Sequence, residues 1–254
     1  MMFNSLLRVL ITPLVQAGKS CIRGILSLSP AGRRYYAERK KRQRMETLQR
    51  VQTYGGEILS KIHAILTREK IDYIIEGGTL LGCVRDGGIM PHDDDIDIAL
   101  PPFPPISARR IVELLEKEGF AFFWAWKYNG RITEFSVSYK GVHIDFSFLH
   151  DAGTHFESHW YMPISGIKYP NKRTWSGLST NRPKIKGLQP LHVNKYEIDV
   201  MIPSNYDEWL KSCYGNWRTP DPSWKSKIDP NNLPKEGSRR LLPDFAVMIS
   251  RKDL

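Results

Sequence analysis

Four aspartates crowd into the sequence "PHDDDIDIAL", at positions Asp93, Asp94, Asp95 and Asp97. Residues two apart in a β-strand face the same side and lie about 6.6 Å apart, so Asp95 and Asp97 project together if "DIDIAL" is a strand. Two neighbouring carboxylates stay ionised only beside a countercharge. A Mg²⁺ ion, which prefers oxygen ligands, supplies that charge. The pattern therefore predicts a cation site, although an exposed acidic strand fits the same residues.

A fifth acid stands alone in the apolar sequence "VHIDFSFL". Strand alternation places Val142, Ile144, Phe146 and Phe148 on one face and Asp145 on the other. An isolated charge in such a strand needs either an ion pair or a bound cation. A salt bridge to one of the many Arg or Lys residues is one interpretation. If this strand lies beside "DIDI", Asp145 instead completes a three-carboxylate cluster suited to one or two Mg²⁺ ions that grip a phosphate.

A glycine pair separates the β-rich run "IDYIIE" from a short predicted helix, "TLLGCVRD". Gly77 and Gly78 would let backbone N–H groups approach a ligand phosphate, with Thr79 beside them and the helix N-terminus adding positive potential. Arg85, about two turns further on, can hold a phosphate oxygen by bidentate hydrogen bonds. An ordinary tight turn followed by a surface arginine is the alternative. A glycine pair, Asp-x-Asp and a later Asp is the arrangement that nucleotidyltransferase-like domains use for metal-assisted phosphoryl transfer.

The segment "GGTLLGCVRDGGIMPHDDDIDIAL" closely resembles the signature of the LicD/fukutin family of phosphotransferases. A second patch, "VMIPSNYDEWLKSCYGNWRTPDP", is similar to the segment that closes these domains, and the resemblance covers roughly residues 57–221. It implies a nucleotidyltransferase-like core. It also implies transfer of a phosphorylated alcohol (phosphocholine, ribitol phosphate or glycerol phosphate) from a CDP-linked donor to a sugar hydroxyl of a cell-surface or lipid-linked glycan, with release of CMP.

The same resemblance implies roles for individual residues. Asp95 and Asp97 would be paired ligands and Asp145 the third, for one or two Mg²⁺ ions, with Mn²⁺ as an alternative. Asp93 would accept the proton of the sugar hydroxyl, with Asp94 competing for that role because Pro91 can turn the chain there.

Gly77, Gly78 and Thr79 would meet the donor phosphates, with Arg85 nearby. The chain departs from the family pattern at His92, where a Trp is usual; packing and donor contact are both open for this histidine. No cysteine counterpart exists for the zinc-binding insertion of the animal enzymes, so a short bacterial-type enzyme is the better match.

Two other functions stay open. One is a nucleotidyltransferase that makes a nucleotide-activated product, and the other is a non-catalytic scaffold that binds lipid or RNA. The aromatic, basic stretch 160–175 is where we expect selectivity for donor or acceptor, because sugars and cationic head groups favour aromatic faces.

The predicted helices and strands that position these residues indicate an α+β fold. We expect a nucleotidyltransferase-like mixed β-sheet flanked by helices, with a basic N-terminal helical arm. Apolar spacing predicts a helix over 44–68, with Gly55-Gly56 breaking or kinking its start. Two further helices are predicted, one with Ser107 as N-cap and Gly119 as terminator, the other between Ser204 and Gly215. "IDYIIE" and "DIDIAL" are predicted strands.

Three more strands, "AFFWAW", "ITEFSVSY" and "VHIDFSFL", are punctuated by Gly130 and Gly141 and predict an antiparallel extension. "EIDVMIP" reads as a further strand. Residues 150–190 show no clear period, and the final forty residues read as an extended wrap or tail.

Charge divides the chain unevenly. The first 50 residues hold 11 Lys or Arg and two acidic residues, whereas the other 204 hold 26 basic and 25 acidic ones. We therefore expect a basic arm over 1–44 that contacts anionic membrane, a catalytic domain over 45–221 and a C-terminal extension over 222–254. A helix docked on the body is the alternative for the arm. The near-neutral body gives no reason to expect a nucleic-acid partner.

The three cysteines, Cys21, Cys83 and Cys213, lack zinc or disulfide spacing. No uncharged run reaches the ~18 residues of a membrane span, and the order of a secretory signal is lacking. These features favour a cytoplasmic protein. The resemblance implies a bacterial one, and the basic arm leads us to expect a peripheral position on the cytoplasmic face of the inner membrane.

Overall fold

The computed structural model describes residues 29–164, 166–221 and 239–254. The chain divides into two compact units, Met1–Thr47 and Leu48–Leu254. Much of the expected basic arm, residues 1–28, lies outside the described residues. In the described part of the first unit, the chain is helical from Pro30 and mostly exposed. No helix among the described residues is both long and apolar enough to cross a membrane.

Helix α1 (Pro30–Arg68) runs through the glycine pair that was predicted to break or kink it. A Cβ atom at Gly55 would lie 2.6 Å from the Ile89 side chain, and one at Gly56 would lie 2.7 Å from the Tyr196 ring. The prediction of a break was therefore wrong, because these glycines admit neighbouring side chains against a continuous helix.

The second unit is built around a nine-stranded mixed sheet with the strand order β1-β2-β5-β4-β3-β11-β8-β7-β6. A separate antiparallel pair is formed by β9 and β10. The strands are β1 (Ile74–Ile75), β2 (Asp95–Leu100), β3 (Ala121–Tyr128), β4 (Arg131–Tyr139), β5 (Val142–Phe148), β6 (His150–Asp151), β7 (Phe156–Met162), β8 (Thr174–Arg182), β9 (Leu188–Val193), β10 (Ile198–Pro203) and β11 (Arg239–Ile249). Within the nine-stranded sheet, β2 and β5 are paired in parallel and the other neighbours are antiparallel.

The predicted strand "DIDIAL" and the antiparallel extension formed by β3, β4 and β5 are confirmed. "EIDVMIP" also forms a strand, although it pairs with β9 outside the large sheet. Within "IDYIIE" only two residues are in a strand.

Among the described residues of the second unit, three shorter α-helices accompany α1: α2 (Gly77–Arg85), α3 (Ala108–Lys117) and α4 (Tyr206–Tyr214). The predicted N-cap of α3 is confirmed, because the Ser107 hydroxyl accepts the backbone N–H of Arg110 at 3.3 Å. Helix α4 has Asn205 at its N-cap position, not Ser204 as predicted. The backbone N–H of Ser204 instead donates to the Gly187 carbonyl at 2.7 Å, so the helix begins one residue later.

Two regions differ from their predicted structure. Residues 150–190 contain β7 and β8, and β8 buries polar side chains that hide the apolar period; these are Thr174, Ser176, Ser179, Thr180 and Arg182. The described part of the final forty residues is not a tail, because β11 lies inside the sheet between β3 and β8. That prediction was wrong because both neighbours of β11 are distant in sequence and its pairing is interrupted by a bulge between Leu241 and Phe245.

The two faces of β2, β5 and β4 differ sharply. One face is apolar and fully buried, as at Ile96, Ile144 and Val137, and belongs to the main core. The other face carries Asp97 and Asp145. Because strand side chains alternate, this division places the carboxylates together away from the core. A second, smaller buried cluster is aromatic and consists of Trp126, Tyr128, Tyr161, Leu242 and Ala246.

Candidate active site

Asp97 on β2 lies directly opposite Asp145 on the parallel strand β5. Asp95 precedes Asp97 by two residues and faces the same side. One carboxylate oxygen from each of the three aspartates can be chosen so that all lie within 4.8 Å of one another. The prediction that "VHIDFSFL" lies beside "DIDI" is therefore confirmed, and the structure brings these three acids into one cluster.

The cluster is strongly acidic and poorly compensated. Burial, followed by the charge of Asp145, raises the pKa of Asp95 to about 7. Burial and the neighbouring acids raise the pKa of Asp97 well above its usual range. Burial also raises the pKa of Asp145, although Ser136 and His143 act in the opposite direction.

One oxygen of Asp145, Oδ1, is buried and has no hydrogen-bond partner in the described part of the chain. Three converging carboxylates with an unpartnered oxygen fit a hard divalent cation, which takes oxygen ligands. The residues present therefore fit a metal site, and they leave the identity of the ion open.

Asp93 lies outside β2, in the turn after Pro91, where its backbone N–H donates to the Met90 carbonyl at 3.2 Å. Its carboxylate points at the start of α2, and a Cβ atom at Gly78 would lie 2.6 Å from Asp93 Oδ2. That oxygen is buried without a partner among the described residues, and burial raises the pKa of Asp93 to about 6. Asp94, the competing candidate, is exposed.

The glycine pair at the start of α2 creates room for the acids. Gly77 has φ +58°, and a Cβ atom there would overlap Asp97 Oδ2. Thr79 is buried, and its hydroxyl accepts the backbone N–H of Asp97 at 3.0 Å. These residues thus join the first turn of the helix to the carboxylates of β2. Their contact with a donor phosphate remains a prediction.

Arg85, at the far end of α2, is already engaged. Its guanidinium donates to both carboxylate oxygens of Asp86, at 2.9 and 2.7 Å, and to the Trp217 carbonyl at 3.5 Å. Burial raises the pKa of Asp93, and the charges of His92 and Arg85 oppose this rise without cancelling it. Arg85 therefore lies near the site, and its predicted role toward a phosphate is untested.

The structure adds a buried ion pair that the sequence pattern did not reveal. Glu76, the residue before the glycine pair, binds the Arg182 guanidinium at 3.1 Å, and both side chains are less than 10% exposed. The Ser147 hydroxyl donates to the second oxygen of Glu76 at 3.0 Å. Glu76 could have been noticed in the sequence, because it directly precedes the glycine pair. No sequence pattern indicates Arg182, which comes from β8.

Glu134 is a second acid near the cluster, and the sequence motifs alone did not indicate its position. It lies on β4, two residues before Ser136, which is opposite Asp145. Alternation within "ITEFSVSY" places Glu134 and Ser136 on one side, and this signal was readable once β4 was known to pair with β5.

Comparison with known proteins agrees with this site. Residues 70–179 match the model of the LicD/FKTN/FKRP family, nucleotidyltransferase domain. The chain is 38% identical over 73 residues to an uncharacterized protein of Rickettsia prowazekii. This match covers 29% of this chain and 27% of that protein. It is 46% identical over 52 residues, 20% of each chain, to the lipopolysaccharide cholinephosphotransferase LicD of Haemophilus influenzae.

These matches span about a quarter or less of the curated relatives. The family match itself includes β2 and β5 with all three aspartates of the cluster, together with the glycine pair that adjoins them. Residues 70–179 of this chain are a nucleotidyltransferase domain of the LicD/FKTN/FKRP family.

Proposed function

We propose that this protein is a Mg²⁺-dependent phosphotransferase that moves a phosphorylated alcohol from a CDP-linked donor to a sugar hydroxyl of a cell-surface or lipid-linked glycan and releases CMP. The observation that carries the proposal is the carboxylate cluster of Asp95, Asp97 and Asp145 in a domain of this family. The relative named as a lipopolysaccharide cholinephosphotransferase supports a phosphorylated alcohol as the group transferred.

Asp95, Asp97 and Asp145 would hold the cation. When bound, Mg²⁺ would neutralise and align the phosphates of the donor. The first N–H groups of a helix have no partner within the helix and lie at its positive end. In α2 these groups belong to Gly77, Gly78 and Thr79, beside the cluster, and they would donate to donor phosphate oxygens.

Asp93 would orient the sugar hydroxyl and accept its proton. Its unpartnered Oδ2 faces the start of α2, between that helix and β2. The hydroxyl oxygen then forms a bond to the phosphorus that carries the alcohol. The bond from this phosphorus to the bridging oxygen breaks, and CMP departs with that oxygen. The product is a phosphodiester between the alcohol and the sugar.

The basic arm, residues 1–44, would place the enzyme at an anionic membrane surface on the cytoplasmic side, where lipid-linked acceptors are available. Its support is the excess of 11 basic over two acidic residues in the first 50. Removal of residues 1–44 should weaken binding to vesicles that contain anionic lipid, as measured by co-sedimentation, and should spare CMP release from a soluble acceptor. Equal sedimentation of the full and truncated chains would contradict the membrane role.

The catalytic proposal is tested by incubating the full chain with Mg²⁺, a glycan acceptor and CDP-choline, CDP-ribitol or CDP-glycerol, and measuring CMP by chromatography. Asp95→Asn and Asp145→Asn should each reduce CMP release by at least about 10²-fold, because each removes a ligand and a charge. Asp72→Asn, at an exposed position, is the control for loss of one carboxylate. Unchanged release in both cluster variants would refute the proposal. Release of pyrophosphate from CTP and a phosphorylated alcohol, without CMP release, would favour the nucleotidyltransferase alternative.

A further inference from the structure

Exposed apolar side chains gather on one face of the neighbouring strands β7, β8 and β11. The strand register aligns Trp160 on β7 with Leu178 on β8 and with Leu241 on β11. Phe245 and Val247, beyond the bulge in β11, pair with the next residues of β8 on the same side. Directly opposite residues of an antiparallel pair project to one face, so these side chains form one surface. We call Trp160, Leu241, Phe245 and Val247 the apolar patch.

The apolar patch is exposed, although the strands that carry it are well packed. Its four side chains are each 40–45% exposed, whereas Leu178 between Trp160 and Leu241 is fully buried. The opposite face of β11 contributes buried Leu242 and Ala246 to the small aromatic cluster. Single apolar residues on a surface need no explanation, but a set that shares one face indicates an interaction surface.

The connection from β7 to β8 extends this surface. The ring of Tyr169 lies 5.3 Å from the ring of Phe245 between centroids, and its hydroxyl shares a hydrogen bond of 2.9 Å with the Ser176 hydroxyl. Residues 166–173 therefore lie against the same face of the sheet. Ile167, within this segment, is also exposed. The segment thus adds apolar surface beside the patch.

Basic side chains border the apolar patch. Lys127 on β3 is exposed and directly opposite Val247, and Arg239 precedes Leu241 by two residues on the same side of β11. Three more basic residues are exposed within 166–173, a segment that contains no acid: Lys168, Lys172 and Arg173. Two acids accompany these five cations, namely Asp244 on β11 and Asp253, which is close enough to Arg173 to interact with its charge. The surface is therefore apolar at its centre and positively charged at its border.

We propose that the apolar patch docks the catalytic domain on a bilayer surface that contains anionic phospholipid. Tryptophan and aliphatic side chains enter the headgroup region, while Lys and Arg side chains extend their charged ends to lipid phosphates. A purely apolar partner would leave the basic border without a countercharge, whereas an anionic bilayer matches both parts of the surface. The inference does not depend on the proposed reaction. It adds a contact on the catalytic domain to the one proposed for the basic arm.

Vesicle binding of the full chain tests the apolar part of the contact. The double variant Leu241→Ser, Phe245→Ser should lower the partition coefficient by at least about 10-fold on vesicles of phosphatidylglycerol and phosphatidylcholine in equal parts, because binding scales with the apolar area buried. Phe123→Ser removes an exposed ring outside the patch and should bind as the wild type does. If circular dichroism shows that the double variant does not fold, Trp160→Gln replaces it with the same expected loss.

A second pair of variants tests the basic border. Lys168→Glu with Lys172→Glu should weaken binding to the same vesicles by at least about 10-fold at low salt, and by less than about twofold on phosphatidylcholine alone. The matched control is Arg109→Glu with Lys211→Glu, at exposed positions on α3 and α4. It changes the net charge equally and should weaken binding by less than about threefold.

Hydrogen exchange of the full chain locates the contact. Addition of the anionic vesicles should slow exchange of the backbone N–H groups of residues 166–173, because the bilayer excludes water from them. Unchanged exchange there, with equal vesicle binding by the wild type and Leu241→Ser, Phe245→Ser, would overturn the proposal and indicate that another part of the chain covers the patch.

The oligomeric state distinguishes lipid from a second copy of the chain. Sedimentation velocity should give the same mass for the wild type and Leu241→Ser, Phe245→Ser in the absence of vesicles. A wild-type dimer that this variant converts to a monomer, with vesicle binding unchanged, would assign the patch to contact between copies and overturn lipid docking.

Discussion

Asp97 and Asp145 face each other across two parallel strands, in a register that continues from Asp95–His143 to Leu100–Phe148. A slip of one residue would turn Asp145 toward the apolar core, because side chains alternate along a strand. The acid cluster therefore depends on this one strand pairing. It joins residues that are 48 positions apart in the chain.

The first prediction concerns the charge of Asp145. Asp145→Asn removes a negative charge that repels Asp95 and Asp97 in the metal-free protein. In EDTA its midpoint of thermal unfolding should therefore be no lower than that of the wild type, and higher by at most a few degrees. The rise in midpoint produced by MgCl₂ should be largely lost, because a ligand that binds only the folded state stabilises that state less when it binds more weakly. Asp72→Asn should retain the full rise. A Mg²⁺-dependent rise of wild-type size in Asp145→Asn would remove this residue from the metal site.

The second prediction uses two glycines with similar backbone conformation. Gly77 and Gly87 have φ values of +58° and +74°, so alanine at either position costs about 1 kcal/mol of backbone strain. At Gly87 a Cβ atom meets nothing within 4 Å, whereas at Gly77 it would overlap the Asp97 carboxylate. Gly77→Ala should therefore reduce CMP release by about 10²-fold, since a displacement of 1 Å can cost that much.

Gly87→Ala should lower the free energy of unfolding, measured with urea, and should leave CMP release unchanged. Equal activity in the two variants would show that close approach at Gly77 does not matter for the site.

The third prediction concerns the buried pair of Glu76 and Arg182. Removing one partner leaves the other charge buried, so Glu76→Gln or Arg182→Met alone should each cost about 3–5 kcal/mol of the free energy of unfolding. The double variant should be more stable than the sum of the two single effects predicts, and a double-mutant cycle by urea unfolding measures this coupling. Additive effects would mean that the two side chains stabilise the fold independently.

Much of the acid cluster could be predicted from the sequence because its information is local. The Asp-x-Asp spacing determines that Asp95 and Asp97 share a face once "DIDIAL" forms a strand, and the isolated Asp145 shows its own orientation by alternation. Only the pairing of β2 with β5 joins distant residues, and the resemblance to a known family supported that pairing.

The remaining features depend on contacts that no local pattern encodes. Arg182 lies in a strand that buries several polar side chains, and its partner Glu76 is 106 positions away in the chain. Strand β11 pairs with β3 and β8, which are distant in sequence, and its pairing with β8 is interrupted by a bulge. Gly55 and Gly56 read as helix breakers, although tertiary packing against Ile89 and Tyr196 favours small residues inside a continuous helix.

The final prediction concerns two histidines that are stacked, with ring centroids 4.5 Å apart: His150 and His159. Burial, followed by the charge of His159, lowers the pKa of His150 to about 4, against the opposing effect of Glu157; Arg131 lowers it further. Burial also lowers the pKa of His159, again opposed by Glu157.

A histidine with a depressed pKa in the fold takes up its proton more readily in the unfolded chain, whose pKa is about 6.5. Between about pH 6.5 and 4 the unfolded state therefore binds more protons, and the free energy of unfolding falls as the pH falls through this window. Urea unfolding at pH 7.5 and 5 should show a larger loss for the wild type than for His150→Gln, by about 1–2 kcal/mol after allowance for partial solvent exposure. An equal loss in the wild type and His150→Gln would show that the stacked pair does not set the pH dependence of stability.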